Sequence, residues 1–215
     1  MEHVDAQEVL EEEASEDILR LVGTSPELQT RLPILRRVLA RLPLQGVAVL
    51  GGLTTAFIIE MVLKSANGEE QLSTGADLLR FLPIIIGLAG NVGIQASTIL
   101  VRAFATGEVE ADREVSVLMS ETLVGLTIGS LCGTVTFSAL ALTGGGPDPM
   151  RFALAIGVAI TVAVTWAAFL GCVVPMSCRR LGIDPAIVAG PFLVTVSDIS
   201  GTALYLGVAG LLVGL

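Results

Sequence analysis

Asp198 stands among Phe192, Leu193, Val194, Val196 and Ile199 in the stretch GPFLVTVSDISG, residues Gly190 to Gly201. A lone carboxylate in such company is costly. It is either neutral and hydrogen-bonded to an amide or a serine, or ionised and facing water and a cation. No Lys or Arg lies at matching depth in any of the long apolar stretches, which favours the cation. Pro191 has no N–H, so it frees a backbone carbonyl about one turn before it, and local carbonyls can join the carboxylate as oxygen ligands. Hard oxygen donors suit Mg²⁺, Ca²⁺ or Mn²⁺, whereas soft metals would call for Cys or His. Mg²⁺ keeps much of its hydration and is held by one or two carboxylates, so a symmetric pair of chains would place two copies of Asp198 around one path.

Other polar groups lie in the apolar stretches. LPIIIGLAGNVGIQASTILVR puts Gly87, Gly90 and Gly93 beside Asn91 and Gln95. The two amides are four residues apart and share a helical face. They read either as glue between helices or as the wall of a path for water or ions. Glu121 stands near one end of its stretch and is expected either to snorkel to the membrane interface or to face the bundle. Gly125, Gly129 and Gly133 recur every fourth residue, a stripe for close helix packing. Trp166 is too far from either end of its stretch to be a belt residue and is expected inside the bundle. Cys132, Cys172 and Cys178 have no metal-like spacing and read as small buried residues. No Ser–His or Cys–His arrangement, paired acid or phosphate loop is present, and the sole histidine is His3, so an enzyme is not expected.

The elements that must carry these groups follow from composition. Hydrophobic residues make up 53% of the 215 and charged residues only 15%. Soluble domains carry about 25% charged residues, so this is a membrane composition. Five windows reach the roughly 20 apolar residues that a spanning helix needs: Leu44–Leu63, Leu78–Val101, Glu121–Leu142, Phe152–Met176 and Ile187–Val213. Asp198 lies some 16 Å into the last, near the middle of a hydrocarbon layer about 30 Å thick. An internal amino terminus puts nine basic residues inside (Arg20, Arg31, Arg36, Arg37, Arg41, Arg102, Arg113, Arg179, Arg180) against Lys64, Arg80 and Arg151 outside. The carboxyl terminus is then outside. Residues 1–43 read as an acidic helix followed by a basic amphipathic piece, RLPILRRVLARLP, at the cytoplasmic interface, and residues 44–215 as the membrane domain. The first thirty residues lack the apolar core of a signal peptide. The net charge of −9 disfavours nucleic acid as a partner.

Two long motifs in order make a family resemblance. PIIIGLAGNVGIQASTILVRAFATGEV (Pro83–Val109) and LGIDPAIVAGPFLVTVSDISG (Leu181–Gly201) resemble the second-helix and last-helix signatures of the MgtE magnesium transporters and channels. EEEASEDILRLVG (Glu11–Gly23) resembles the acidic segment that precedes the first helix there. The resemblance implies an all-α membrane protein of five transmembrane helices, multi-pass in the cell (inner) membrane, forming a homodimer with a central pore. It implies that Mg²⁺ is the transported ion, held largely hydrated by Asp198 with the backbone carbonyl of Val194. It further implies that Glu16 and Asp17 hold a second Mg²⁺ near the cytoplasmic mouth. Some relatives have an asparagine where this sequence has Gly190, so one side-chain ligand of that mouth site is missing. Typical bacterial members carry a helical domain and nucleotide-binding CBS domains before the first span. Only some forty residues precede it here, so a form without that sensor, natural or a piece, is expected. Uptake driven by the membrane potential is the leading expectation. A Na⁺- or H⁺-coupled exchanger is the alternative, and a scaffold that transports nothing stands further behind.

Overall fold

Long apolar runs with sharp stops make long helices, and the stops are legible in the backbone. The computed structural model describes residues 32–67, 74–109, 113–143 and 148–215. Among them the order is α1 (Ile34–Asn67), α2 (Thr74–Leu79), α3 (Leu82–Ala105), α4 (Glu114–Thr143), α5 (Pro149–Arg180), α6 (Pro185–Val188) and α7 (Pro191–Val213). α5 begins where the Asp148 side chain accepts from the Arg151 N–H at 3.2 Å, with Pro149 in the first turn. That proline wastes no donor, because first-turn N–H groups have no partner in the helix. Gly107, Gly182 and Gly214 follow the ends of α3, α5 and α7 with φ of 70°, 72° and 88°, a left-handed turn that glycine adopts without strain.

The described residues are all-helical, and α1, α2–α3, α4, α5 and α7 supply five segments long and apolar enough to cross a membrane. Their outer faces carry bare hydrophobic side chains: Leu50 of α1, Met119 of α4 and Leu211 of α7 are each more than 65% exposed. Such surfaces belong in lipid. Inside, α5 packs against α3, α4 and α7. Ile84, Ile85 and Leu88 of α3, Val124 and Ile128 of α4, Ile156 and Ile160 of α5 and Tyr205 of α7 form one core.

Glycines set the closest contact. A Cβ on Gly133 would run into the Gly157 carbonyl and stand 2.7 Å from the Thr161 hydroxyl. One on Gly129 would stand 3.0 Å from the Thr161 carbonyl, and one on Gly125 would collide with Ala168. The repeat of four thus lets α4 lie directly on α5.

The elements differ from expectation at two places. The first window and the basic piece before it are a single helix: α1 starts at Ile34 and runs through Pro43. Arg37 and Arg41 of this piece are buried in the bundle. The last window is not one helix. Asp184 caps the short α6 through the Ala186 N–H at 2.9 Å, and the chain breaks at Gly190 (φ −105°, ψ −117°). Pro191 therefore starts α7 rather than interrupting a longer helix, and it opens no gap in a helical ladder.

Candidate functional site

α7 positions Asp198 seven residues from its start, about 10 Å along the axis. Val194 is one turn earlier on the same side, so its carbonyl and the carboxylate share a face. Both residues are half-buried. The Asp198 Oδ1 is buried and has no hydrogen-bond partner. Opposite it is α3: a Cβ on Gly90 would stand 3.9 Å from Oδ1. On the same face of α3, a Cβ on Gly93 would stand 3.4 Å from the Ala167 carbonyl and 3.7 Å from the Ser197 hydroxyl. The absent side chains of Gly90 and Gly93 leave a polar seam, and Asp198 reaches into it. Gly190 is open, with nothing within 4 Å of its Cβ position.

α7 is pinned on its bundle side. The Trp166 Nε1–H donates to the Ser200 hydroxyl at 2.9 Å, and the indole stacks on Phe169 at 5.4 Å. Trp166 thus packs inside the bundle as its sequence position suggested. The Tyr205 hydroxyl donates to the Leu78 carbonyl at 2.9 Å and the Arg151 Nε–H to the Leu212 carbonyl at 2.7 Å. All three contacts hold α7 on the C-terminal side of Asp198. The opposite face carries Phe192 and Ile199, each more than half exposed.

The other expected site residues fall elsewhere. Gln95 is buried and accepts from the Gln45 Nε2–H of α1 at 3.3 Å, so this amide joins helices. Asn91, one turn before it, is half-buried. Glu121 does not reach an interface: it is fully buried between Arg37 and Arg41. The Arg37 Nη2–H donates to Oε1, and the two Arg41 nitrogens donate to Oε2 at 2.9 Å and Oε1 at 3.2 Å. Arg37 also donates to the Ser120 hydroxyl at 2.6 Å. The snorkelling expectation fails because α4 begins seven residues before the apolar window does, which carries Glu121 two turns into the helix. Glu16 and Asp17 lie outside the described residues. Among the described residues no three His, Cys, Asp or Glu side chains gather as a metal cage. What the arrangement offers a cation is one carboxylate with an unused oxygen, beside backbone and hydroxyl oxygens. That set suits an ion that keeps its water, or a site completed by a second copy.

Five helices long and apolar enough to cross a membrane, around a buried polar seam, define a multi-span membrane protein. Comparison with known proteins gives the family. The family model MgtE, described as divalent cation transporter, matches residues 82–208, and the chain belongs to that family. Similar curated proteins are the magnesium transporter MgtE of Thermus thermophilus, 32% identical over 97% of this chain and 44% of its own length, and that of Enterococcus faecalis, 30% identical over 95% and 43%. The Bacillus subtilis magnesium transporter MgtE is 24% identical over 94% and 43%. The chain spans less than half the length of these relatives.

Proposed function

We propose that this chain carries Mg²⁺ across the cell membrane through a path lined by α7, with a largely hydrated ion held at Asp198 and the Val194 carbonyl. The observation that carries the reading is the buried, partnerless Oδ1 of Asp198 against Gly90, in a family of divalent cation transporters. The magnesium transporters among its relatives favour Mg²⁺ as the cargo. The amino terminus is cytoplasmic and the carboxyl terminus outside, by the distribution of basic residues. The open face of α7 meets the same face of a second copy, and two Asp198 carboxylates balance one divalent charge. Glu16 and Asp17 hold a further ion at the cytoplasmic mouth. Entry needs no coupled ion, because an inward potential supplies about 2.3 kcal/mol per charge per 100 mV, and twice that for Mg²⁺.

The test is Mg²⁺ flux into liposomes under an imposed potential without Na⁺, with wild type beside Asp198→Asn. Flux should follow the voltage and disappear in the variant. An Asp198→Asn protein that carries Mg²⁺ at the wild-type rate would sink the reading. Flux that appears only on adding Na⁺ or a pH gradient would replace uniport by exchange.

A further inference from the structure

Many hydroxyls in these helices are satisfied by their own backbone. Thr122, Thr127, Thr134, Thr161, Thr165 and Ser200 each donate to the carbonyl four residues back, at 2.6–3.0 Å. This is how a helix satisfies a hydroxyl away from water. Ser97 and Ser197 are 0% and 1% exposed, and neither hydroxyl has a hydrogen-bond partner among the described residues.

Ser197 belongs to the α3–α7 seam, and Ser97 is on α3. Ser197 adjoins Asp198 and lies 3.7 Å from the Cβ position of Gly93, which also faces the Ala167 carbonyl. Ser97 is one turn beyond Gly93 on the same face of α3. Leaving a hydroxyl dry and unpaired inside a protein costs free energy, whereas ordered water with two or more polar partners removes the cost. Oxygen atoms of two helices face α3 here: Ala167 of α5, and Ser197 and Asp198 of α7.

We propose that Ser197 binds ordered water behind Asp198, and that this water fixes the direction of the carboxylate toward a hydrated divalent cation. Ser197 is thus a positioning residue for ion discrimination. The inference rests on the reading of Asp198 as the cation-holding group. A hydrated Mg²⁺ presents waters in a near-ideal octahedron at 2.0–2.1 Å, while Ca²⁺ accepts six to eight ligands at longer range. A carboxylate held in one direction matches the first better than the second. A swivelling carboxylate serves both.

Two measurements decide it. In a cryo-microscopy map of the wild-type protein in Mg²⁺ that resolves waters, density is expected within hydrogen-bond distance of the Ser197 hydroxyl. In liposomes, Ser197→Ala should lower the ratio of Mg²⁺ to Ca²⁺ flux by about fivefold, the scale of one hydrogen bond. Its thermal midpoint should stay near that of the wild type, and Ser197→Thr, which keeps the hydroxyl, should keep the ratio. A dry Ser197 in the map overturns the proposal, as does an unchanged flux ratio in the alanine variant. Should that variant fail to fold, the map decides alone. Asp198→Asn in the same liposomes separates the two levels: if it still carries Mg²⁺, the cation site is wrong, whereas water at Ser197 is judged from the map.

Discussion

The α4–α5 seam and the α3–α7 seam are both built on glycine, and they use it in opposite ways. At Gly125, Gly129 and Gly133 the neighbouring helix occupies the space a side chain would take, and the hydroxyl of Thr161 donates to the Gly129 and Gly157 carbonyls at 3.2 and 3.0 Å. At Gly90 the nearest atom to a Cβ position is the Asp198 carboxylate oxygen at 3.9 Å, and at Gly201 it is the Ala89 methyl at 3.8 Å. One seam is dense and has its hydroxyl paired. The other is looser and leaves Ser197 and Asp198 with atoms that bond to nothing among the described residues. Small residues alone therefore do not mark a path. The same residue type marks structure where it is filled and a site where it is left open beside unpaired oxygen.

The contrast breaks most visibly where buried charges are paired. Glu121→Ala strands Arg37 and Arg41 inside the bundle, and removing one partner of a buried ion pair costs about 3–5 kcal/mol. The variant should lose most of its folded fraction in detergent, measured by size-exclusion after heating. A variant of wild-type stability would mean that water reaches the cluster. Next comes Gly133→Ala. Its methyl must displace the Gly157 backbone, and overpacking of this kind costs about 1–3 kcal/mol. A clear fall in thermal midpoint is expected, with the selectivity of the remaining transport unchanged.

How much of this contrast is legible in sequence follows from what each seam depends on. The spans are legible because hydropathy over twenty residues is a local property. Gly125, Gly129 and Gly133 are legible because a repeat of four lies on one face whatever that face meets. Asp198 stands out because a charge among Val and Ile is rare. The pairing of Glu121 with Arg37 and Arg41 is not legible, since it joins positions some eighty residues apart and crosses the apparent boundary at Pro43. Gln95 is ambiguous for the same reason: its partner Gln45 is fifty residues away, and only the packing of α1 on α3 brings them together. The break before Pro191 hides inside an apolar window, because hydropathy does not register a glycine–proline step. Ser97 and Ser197 carry no signal at all. A serine in a helix is ordinary until its neighbours show that nothing receives its proton.

The smaller effects sharpen the open side of the comparison. Trp166→Phe keeps the ring and removes the donor to Ser200, and one such hydrogen bond is worth about 1 kcal/mol. A modest fall in thermal midpoint is expected. If α7 is placed by this bond, Mg²⁺ flux should fall as well, because Ser200 is two residues from Asp198.

Gly90→Ala should have the smallest effect on stability and is the most discriminating. Its methyl fits, since 3.9 Å to the nearest atom is ordinary van der Waals contact. Alanine also favours a helix over glycine by about 1 kcal/mol, so the thermal midpoint should hold or rise. Yet the methyl covers the face of the seam against which Oδ1 rests, and Mg²⁺ flux in liposomes should drop although the fold is intact. Loss of flux without loss of stability is the signature of an open seam, and Gly133→Ala should show the reverse. If Gly90→Ala destabilises the protein as Gly133→Ala does, the two seams are of one kind and the distinction between filled and open glycines fails.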